Sequence, residues 1–584
     1  MTKGFERLSM DQRLERVRVL AVVLLLTLVG GLGYFQVLRA DRYVELASRN
    51  RLRLVRLLPP RGVITDVNGA PLAVNVRTFD VKGYPMDLQK PENRKRVVEL
   101  FRRKGFPLDE ATLTEMVEKQ YVAPYRAVSL ANNLTLAQVA DLVADPEFSS
   151  LLFPFPVWRR VYPAGALVSH VTGFVGEITR EELESAADAR YQGGDGVGKT
   201  GIEAFYEGRL RGDVGEEAVE VDSRGRRLRE VSRREPARGE DLRLTLDLGA
   251  QRVAAELMGN EKGALVVLDV QDGGVKVLYS SPTFDPNPLT WGISSREWND
   301  LLKDPARPMM DRCVSGTYPP GSTFKAVTTI AALEENVVNN HTTVYCPGYY
   351  TLGNRTFKCW KHSGHGSENL LEAIRDSCDV FFYQTGVWLG IERLLKWSAI
   401  LGVGSPSGID IPGEASGNLA GPAWKKKRFR EPWYKGDTVN YSIGQGFLLM
   451  TPLQLARVYA AVANGGHLVV PHLNSRERFP RKDLRIPQSG LRSLQRGLEE
   501  VVRSGTGKRA GAFGVTVAGK TGTAQNPHGD DHAWFVGYAP VERPRFVAVA
   551  LVEGGGHGSS VAAPLVGKIL SYLVQHDRKG GTGP

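Results

Sequence analysis

Apolar and polar positions divide the chain before any motif is considered. From Val19 to Leu38 no charged residue occurs, and the run VLAVVLLLTLVGGLGYFQVL is flanked by Arg18 and Arg39. At about 1.5 Å per residue, a helix of that length crosses a hydrocarbon layer of roughly 30 Å. A signal peptide would carry a shorter apolar core and a small-residue cleavage site, and Gln36–Ala40 reads QVLRA. A buried soluble helix is rarely apolar on every face. The pattern predicts a retained transmembrane anchor at 19–38 behind a tail at 1–18. Leu58–Asn75 then reads as an extended segment, a strand, an Asn68-Gly69 hairpin turn and a returning strand. Residues 88–150 switch to helical period with many charges, as in Glu92–Lys104 and Leu108–Lys119, predicting a helical lobe. Residues 151–240 return to short strands and turns. They end in the basic run Arg224–Arg238, which reads equally as a hinge or as a solvated strand edge.

From Asp241 the texture changes. Leu242–Asp247 alternates as a strand, Gln251–Met258 as a short helix, and Ala264–Asp269 with Val275–Tyr279 flank a Gly273-Gly274 turn. Helical stretches follow at Phe324–Glu335, Leu370–Leu389 and Pro452–Asn464. Strands at Val515–Ala518, Ala533–Tyr538 and Phe546–Val552 precede a last helix to about Val574. The economical fold class is α+β, an antiparallel sheet with helices on both faces. The expected organisation is a tail (1–18), an anchor (19–38), a β-rich pedestal (39–240, helical lobe about 88–150), a catalytic-type domain (241–577) and a disordered tail (578–584).

Composition narrows the partners only slightly. With 584 residues, roughly three domains are expected, and 42% hydrophobic content excludes both a many-helix membrane protein and a disordered chain. Four cysteines exclude a disulfide-stapled scaffold. A net charge of +11 allows nucleic acid, an anionic membrane surface or an acidic polymer. Arginines and lysine flank the anchor on both sides (Lys3, Arg7, Arg13, Arg16, Arg18 against Arg39, Arg42, Arg49, Arg51, Arg53, Arg56), so charge alone does not orient it.

Chemistry enters with Ser322-Thr323-Phe324-Lys325, the chain's one Ser-x-x-Lys tetrad. It follows Tyr318-Pro319-Pro320-Gly321 and opens a helical run, which sets Lys325 one turn beyond Ser322 on the same face. A hydroxyl needs a base in contact, and a lysine held neutral by burial serves. The helix start supplies N–H groups for an oxyanion. Taken alone, the tetrad reads better as a helix cap beside a solvated lysine. A second element changes that balance: a strand, Val515–Gly519, runs into Lys520-Thr521-Gly522-Thr523, offering a cation, hydroxyls and backbone N–H groups to a substrate carboxylate and oxyanion. Lys199-Thr200-Gly201 spells the same triplet but leads into a helix in the first half, and is set aside. Between the two elements lie Ser367/Asn369, Ser416/Asn418 and Ser377/Asp379. The last pair precedes the apolar run FFYQTGVWLG, which would pin it in a core. Ser377 is then a proton relay, and Asp379 orients a lysine.

These elements in this order resemble the penicilloyl-serine transferases. Arg61-Gly62 with Asp66–Gly69, Gly198–Glu203, Ser281–Asn287, and Ser442–Gly446 with Thr451-Pro452 are similar to class B penicillin-binding proteins. The Ser-Cys-Asp motif and Gly364-His365-Gly366 resemble the elongation type (penicillin-binding protein two); the division type usually has Asn where Asp379 stands. The resemblance implies a peptidoglycan D,D-transpeptidase acting through an acyl-enzyme on Ser322, with Lys325 as base and Lys520, Thr521, Gly522 and Thr523 holding the terminal carboxylate. It needs no catalytic cofactor, and β-lactams would acylate the same serine. It implies stem peptides ending in D-Ala-D-Ala as substrate, a SEDS-family (RodA-type) glycosyltransferase and other elongation-complex proteins as partners, the lipid bilayer as surroundings, and no nucleic acid. The location follows: bacterial cytoplasmic (inner) membrane, single-pass, N-terminus inside, bulk outside. Other readings are a division-type enzyme, a mainly non-catalytic activator of a membrane glycosyltransferase, and a β-lactamase or β-lactam sensor. The Arg49–Arg61 stretch reads as partner-contact surface or as lying on headgroups.

Cys346, Cys359, His365 and Cys378 fall close in sequence. Three thiolates and an imidazole suit a closed structural Zn2+ site. A Cys346–Cys359 disulfide, unlinked buried thiols, and His362 in place of His365 are the alternatives.

Overall fold

The computed structural model describes residues 10–43, 52–121, 127–185, 191–222, 227–526 and 529–580. A helix at Met10–Gly33 continues as a π-helical turn, Tyr34–Leu38. Leu14–Leu38 is long and apolar enough to cross a membrane, and its apolar side chains are exposed. The helix thus begins before the expected anchor, taking in Arg16 and Arg18.

The chain divides into two compact units, Met1–Pro59 with Thr78–Val157 and Asp213–Ala237, and Pro60–Arg77 with Trp158–Gly212 and Arg238–Pro584. In the first unit the expected helical lobe forms from Pro91–Arg103, Glu110–Gln120 and Leu136–Val143. Asp109 caps the second of these and a Thr135/Gln138 capping box opens the third. Their apolar faces close over Val81, Val128 and Leu130. Residues 224–226 of the basic run lie outside those described; beyond them Arg227–Arg234 is a strand, not a linker, antiparallel to Gly215–Val221, which pairs in turn with Leu52–Leu57. Arg229 lies opposite Glu220 and bonds it at 2.7 Å. Alternating acid on one strand and arginine on the next makes this a solvated strand edge.

The second unit holds the sheet. Its strands are β1 (Gly263–Asp269), β2 (Val275–Ser281), β3 (Ala518–Ala524), β4 (His532–Ala539) and β5 (Phe546–Val552), in the order β2-β1-β5-β4-β3, all antiparallel. β1 and β5 are buried along their whole length because both faces are covered. Leu265, Val267, Phe535 and Ala550 face a core closed by α1 (Leu248–Met258) and the last helix, Ala562–Gly580. Val266, Leu268, Trp534 and Val549 face the opposite core. That core contains α2 (Lys325–Glu334), α3 (Leu370–Arg375), α4 (Asp379–Leu389), α5 (Pro422–Phe429), α6 (Lys435–Ser442), α7 (Pro452–Ala463) and α8 (Gln488–Arg503) or borders them. The α+β class with helices on both faces is what the pattern predicted.

Three local expectations change. Leu370–Leu389 is two helices, broken where Ser377 adopts a left-handed φ of +56°. The strand expected at Val515–Ala518 begins at Ala518 instead and runs through Lys520–Thr523. The final helix extends to Gly580, past the start of the expected disordered tail, whose last residues (581–584) lie outside those described.

Arg61 does not lie on a surface. Its Nη2 donates to Glu203 at 2.8 Å and to Glu207 at 2.7 Å, while Arg160 Nε donates to the other oxygen of Glu203 at 2.6 Å. Glu203 is fully buried; burial opposes its charge, but the two arginines prevail and hold its carboxyl below the usual range.

Candidate active site

Ser322 sits on a one-turn 3-10 segment, Gly321–Phe324, that leads into α2. The turn depends on glycine. Gly321 has φ +54°, its N–H donates to Gly444 O at 2.9 Å, and a Cβ there would stand 2.6 Å from Thr523 O. Side chains fix the turn from three elements. Trp534 Nε1 on β4 donates to Pro319 O at 3.1 Å, Tyr459 on α7 donates to Thr323 O at 2.8 Å, and the Thr323 hydroxyl donates to Pro320 O. Ser322 itself stays half-buried, open on one side.

One helical turn on, Lys325 is 1% exposed and donates to Asp379 Oδ1 at 2.7 Å, Ser377 O at 2.9 Å and Ser377 Oγ at 3.2 Å. The break between α3 and α4 makes this possible. The left-handed Ser377 turns both its carbonyl and hydroxyl to the lysine, and Asp379 opens α4. Asp379 Oδ2 accepts the Trp360 N–H at 3.0 Å, so the carboxylate is oriented from two sides.

Lys520 is buried on β3, donating to Thr521 O at 3.2 Å. Burial, and then the charge of Lys325, push its amine toward the neutral form against a smaller pull from Asp379. Gly522 lets β3 close on the nucleophile turn, since a Cβ there would sit 2.9 Å from Thr323 Cγ2. Thr521 turns its hydroxyl to Thr506, at 2.8 Å, while Thr523 is half-buried. β3 is an edge strand: β4 covers one side only.

Ser322, Lys325, Ser377, Asp379, Lys520 and Gly522 therefore converge on one place. The alternatives lie elsewhere. Asn369 caps α3, Asn418 pairs with Leu449, and Lys199 is ion-paired to Glu182 at 2.5 Å. Sequence reasoning missed Trp360 and gave no role to Gln445, whose Nε2 donates to Thr523 O at 3.2 Å. Ser442–Gly446 was the sequence signal for that loop.

Beside the site, Cys346, Cys359, His365 and Cys378 bring four donor atoms within 4.8 Å of one another. Both Cys346 Sγ and Cys359 Sγ approach His365 Nδ1, at 3.5 and 3.6 Å. Those spacings suit the sulfur–nitrogen edge of about 3.6 Å that a tetrahedral site with Zn–S bonds of about 2.3 Å and a Zn–N bond of about 2.1 Å implies. All four cysteines are free thiols, and His362 lies exposed, outside the cluster. A hydrogen bond with Cys378 lowers the Cys359 thiol to about 5 against its burial, and the same bond pushes Cys378 up. Cys378 opens α4 immediately before Asp379, so the cluster and the lysine's carboxylate share one backbone corner.

Two family models match the chain: "Penicillin binding protein transpeptidase domain" over residues 263–571 and "Penicillin-binding Protein dimerisation domain" over residues 56–244. Among similar proteins, the peptidoglycan D,D-transpeptidase MrdA of Haemophilus influenzae is 36% identical, over 94% of this chain and 90% of its own. The Escherichia coli K12 protein of the same name is 33% identical over 95% and 92%. Among solved structures, penicillin-binding protein PBP2 of Helicobacter pylori, in complex with MreC, has a TM-score of 0.83 at 32% identity, covering 90% of this chain and 100% of that one. Pseudomonas aeruginosa PBP2 has a TM-score of 0.70 at 30% identity, covering 89% and 97%. With identity of this order sustained over nearly the whole of both chains, the protein belongs to the class B penicillin-binding protein family, on the branch of the MrdA or PBP2 transpeptidases.

Proposed function

We propose that this protein is a peptidoglycan D,D-transpeptidase of cell-wall elongation in which Ser322 forms the acyl-enzyme. The observation that carries the reading is the Lys325 contact set, an amine one turn from the serine that touches Ser377 Oγ and Asp379 together. Ser322 Oγ attacks the carbonyl carbon of the penultimate D-Ala, and its proton passes to Lys325 Nζ. The proton Lys325 sheds beforehand has an acceptor in Asp379 Oδ1 at 2.7 Å. Backbone N–H groups of the Gly321–Phe324 turn and of edge strand β3 receive the oxyanion. The peptide C–N bond then breaks, and Ser377 Oγ relays a proton to the departing D-Ala amine. An amine from a neighbouring stem attacks the ester, and Ser322 regains its proton as the Oγ–C bond breaks. Lys520 and Thr523, with Thr521 and Gly522 through the backbone, bind the terminal carboxylate along β3, where an extended peptide adds to the free edge.

We divide the chain into an anchor, a pedestal to about 240 and an enzyme from about 241, a division supported by the matched families at 56–244 and 263–571. The substrate lies outside the cytoplasmic membrane, so the tail is inside and both large parts are outside. The relative solved with MreC supports an elongation-complex setting, and we infer a RodA-type glycosyltransferase as the membrane partner from the family resemblance alone. We assign Cys346, Cys359, His365 and Cys378 to structural Zn2+, which would cross-link the Val344–Cys346/Gly366–Glu368 strand pair and the hairpin nested within it to the start of α4. Elemental analysis of the purified chain should find one zinc per protein; none would end that assignment. The enzyme assignment is tested with a pentapeptide ending in D-Ala-D-Ala. Release of D-Ala by the wild type and none by Lys325→Met supports it, and no release by the wild type overturns it.

A further inference from the structure

Directly after the loop that carries Gly444 and Gln445, Phe447 joins an aromatic surface that the mechanism does not use. Its ring lies 5.3 Å from those of Trp424 and Phe429, which are 5.6 Å apart, and 6.4 Å from Trp433. Phe429 is 47% exposed and Tyr434 54% exposed, so this is not a closed core. Lys425 is the pillar beneath them. It is buried, donates to Asp437 at 2.7 Å, and lies 4.5 Å from the Tyr434 ring centroid and 5.6 Å from that of Phe447. The chain reverses sharply after α5, with Arg430 at φ +64°. Lys426, Lys427, Arg428 and Arg430 are exposed, and among the described residues none of them has an ion-pair partner. Residues 422–435 carry six basic side chains against one acid, Glu431, a local excess far above the chain average.

An exposed cluster of aromatic rings ringed by unpaired cations has a recognisable complement. Pyranose rings present flat C–H faces that pack on aromatic rings by dispersion, and an acidic polymer supplies carboxylates for the cations. The patch is anchored to the catalytic loop. Gly444 O holds the nucleophile turn, Gln445 Nε2 reaches Thr523 O on β3, and Phe447 stands two residues further on. A stem peptide held on β3 must trail a glycan strand away from the site, and this patch borders that site.

We propose that the surface of Trp424, Phe429, Phe447 and Tyr434, with Lys426–Arg428 and Arg430, binds the glycan strand that trails from the stem peptide, its sugar rings on the aromatics and the lactyl carboxylates of its stem-free units on the cations. This rests on the transpeptidase reading, and the two are separable by experiment. The full-length protein in detergent micelles is titrated with fluorescent glycan strands stripped of stem peptides but retaining lactyl carboxylates. Uncharged chitooligosaccharides of equal length serve as the second probe. The variant K426A/K427A/R428A/R430A should weaken binding of the charged strands roughly tenfold and flatten its salt dependence, while chitooligosaccharide binding is unchanged. Phe429→Ala should weaken both. Covalent labelling of Ser322 by a small fluorescent penicillin should be the same in these variants as in the wild type. Equal strand affinity in wild type and quadruple variant overturns the proposal, as does loss of binding to anionic vesicles with strand binding intact, which would assign the patch to lipid. Absence of penicillin labelling in the wild type would instead refute the transpeptidase reading and leave the strand titration standing.

Discussion

Lys325 and Asp379 form a buried ion pair at 2.7 Å, with side chains 1% and 11% exposed. Removing the carboxylate alone, in Asp379→Leu, strands an ammonium that keeps only the carbonyl and hydroxyl of Ser377. Breaking one member of such a pair costs about 3–5 kcal/mol, most of it the desolvation of the charge left behind. Lys325→Met strands the carboxylate, which keeps the Trp360 N–H, and should cost an amount near the lower end of that range. The double variant strands neither charge and fills the space with apolar atoms. It should therefore recover about 2–4 kcal/mol relative to the sum of the single changes. Denaturant unfolding of all four proteins measures the cycle, and acylation by a fluorescent penicillin measures function. The account expects strong positive coupling in stability with no return of acylation in the double variant. Additive stability costs, or single-variant costs below about 1 kcal/mol, would refute the view of this contact as a buried, mutually dependent pair.

Other consequences are equally direct. Glu203→Gln leaves Arg61 and Arg160 without their shared counter-charge and should cost about 3–5 kcal/mol of stability, read by thermal unfolding, while penicillin acylation of surviving folded protein is unchanged. Burial, helped by the neighbouring Asp376, pushes Glu368 up to about 8. Since its folded value lies above its unfolded value of about 4.3, the stability it contributes is full below that pH and is lost as pH rises to about 8. Glu368→Gln should remove this fall, so the variant gains on the wild type between pH 5 and 8.5 in denaturation midpoints. Gly444 has φ +75° and a Cβ there would stand 2.2 Å from Gly321 O. Gly444→Ala should displace the nucleophile turn and slow acylation by at least about tenfold, measured in stopped flow.

The chemistry was more legible in the sequence than its supports. Ser322/Lys325 and Lys520–Thr523 are local spellings, and local spacing on a helix or strand survives folding. Choosing Ser377/Asp379 over the commoner Ser-x-Asn spellings relied on the apolar run that follows, and the structure sets that pair on the lysine. The break before α4 was invisible because neither Gly nor Pro marks it; the left-handed residue is a serine held by its contacts. Arg61 read as surface because its partner Glu203 is 142 positions away. Trp360 acts through its backbone N–H, which carries no residue-type signal. Arg224–Arg238 could be a linker until the acids of the neighbouring strand were in register with it. The cysteine and histidine spacing gave the donor set, while the nested strand pairs that gather it became visible only in three dimensions.

The central claim is a covalent acyl bond at Ser322. Intact-protein mass spectrometry of the full-length chain incubated with benzylpenicillin tests it most directly. The account predicts one penicilloyl adduct that maps to the peptide containing Ser322, persists over many minutes, and is absent in Ser322→Ala. No adduct on the wild type, or an adduct that remains in Ser322→Ala, would contradict it.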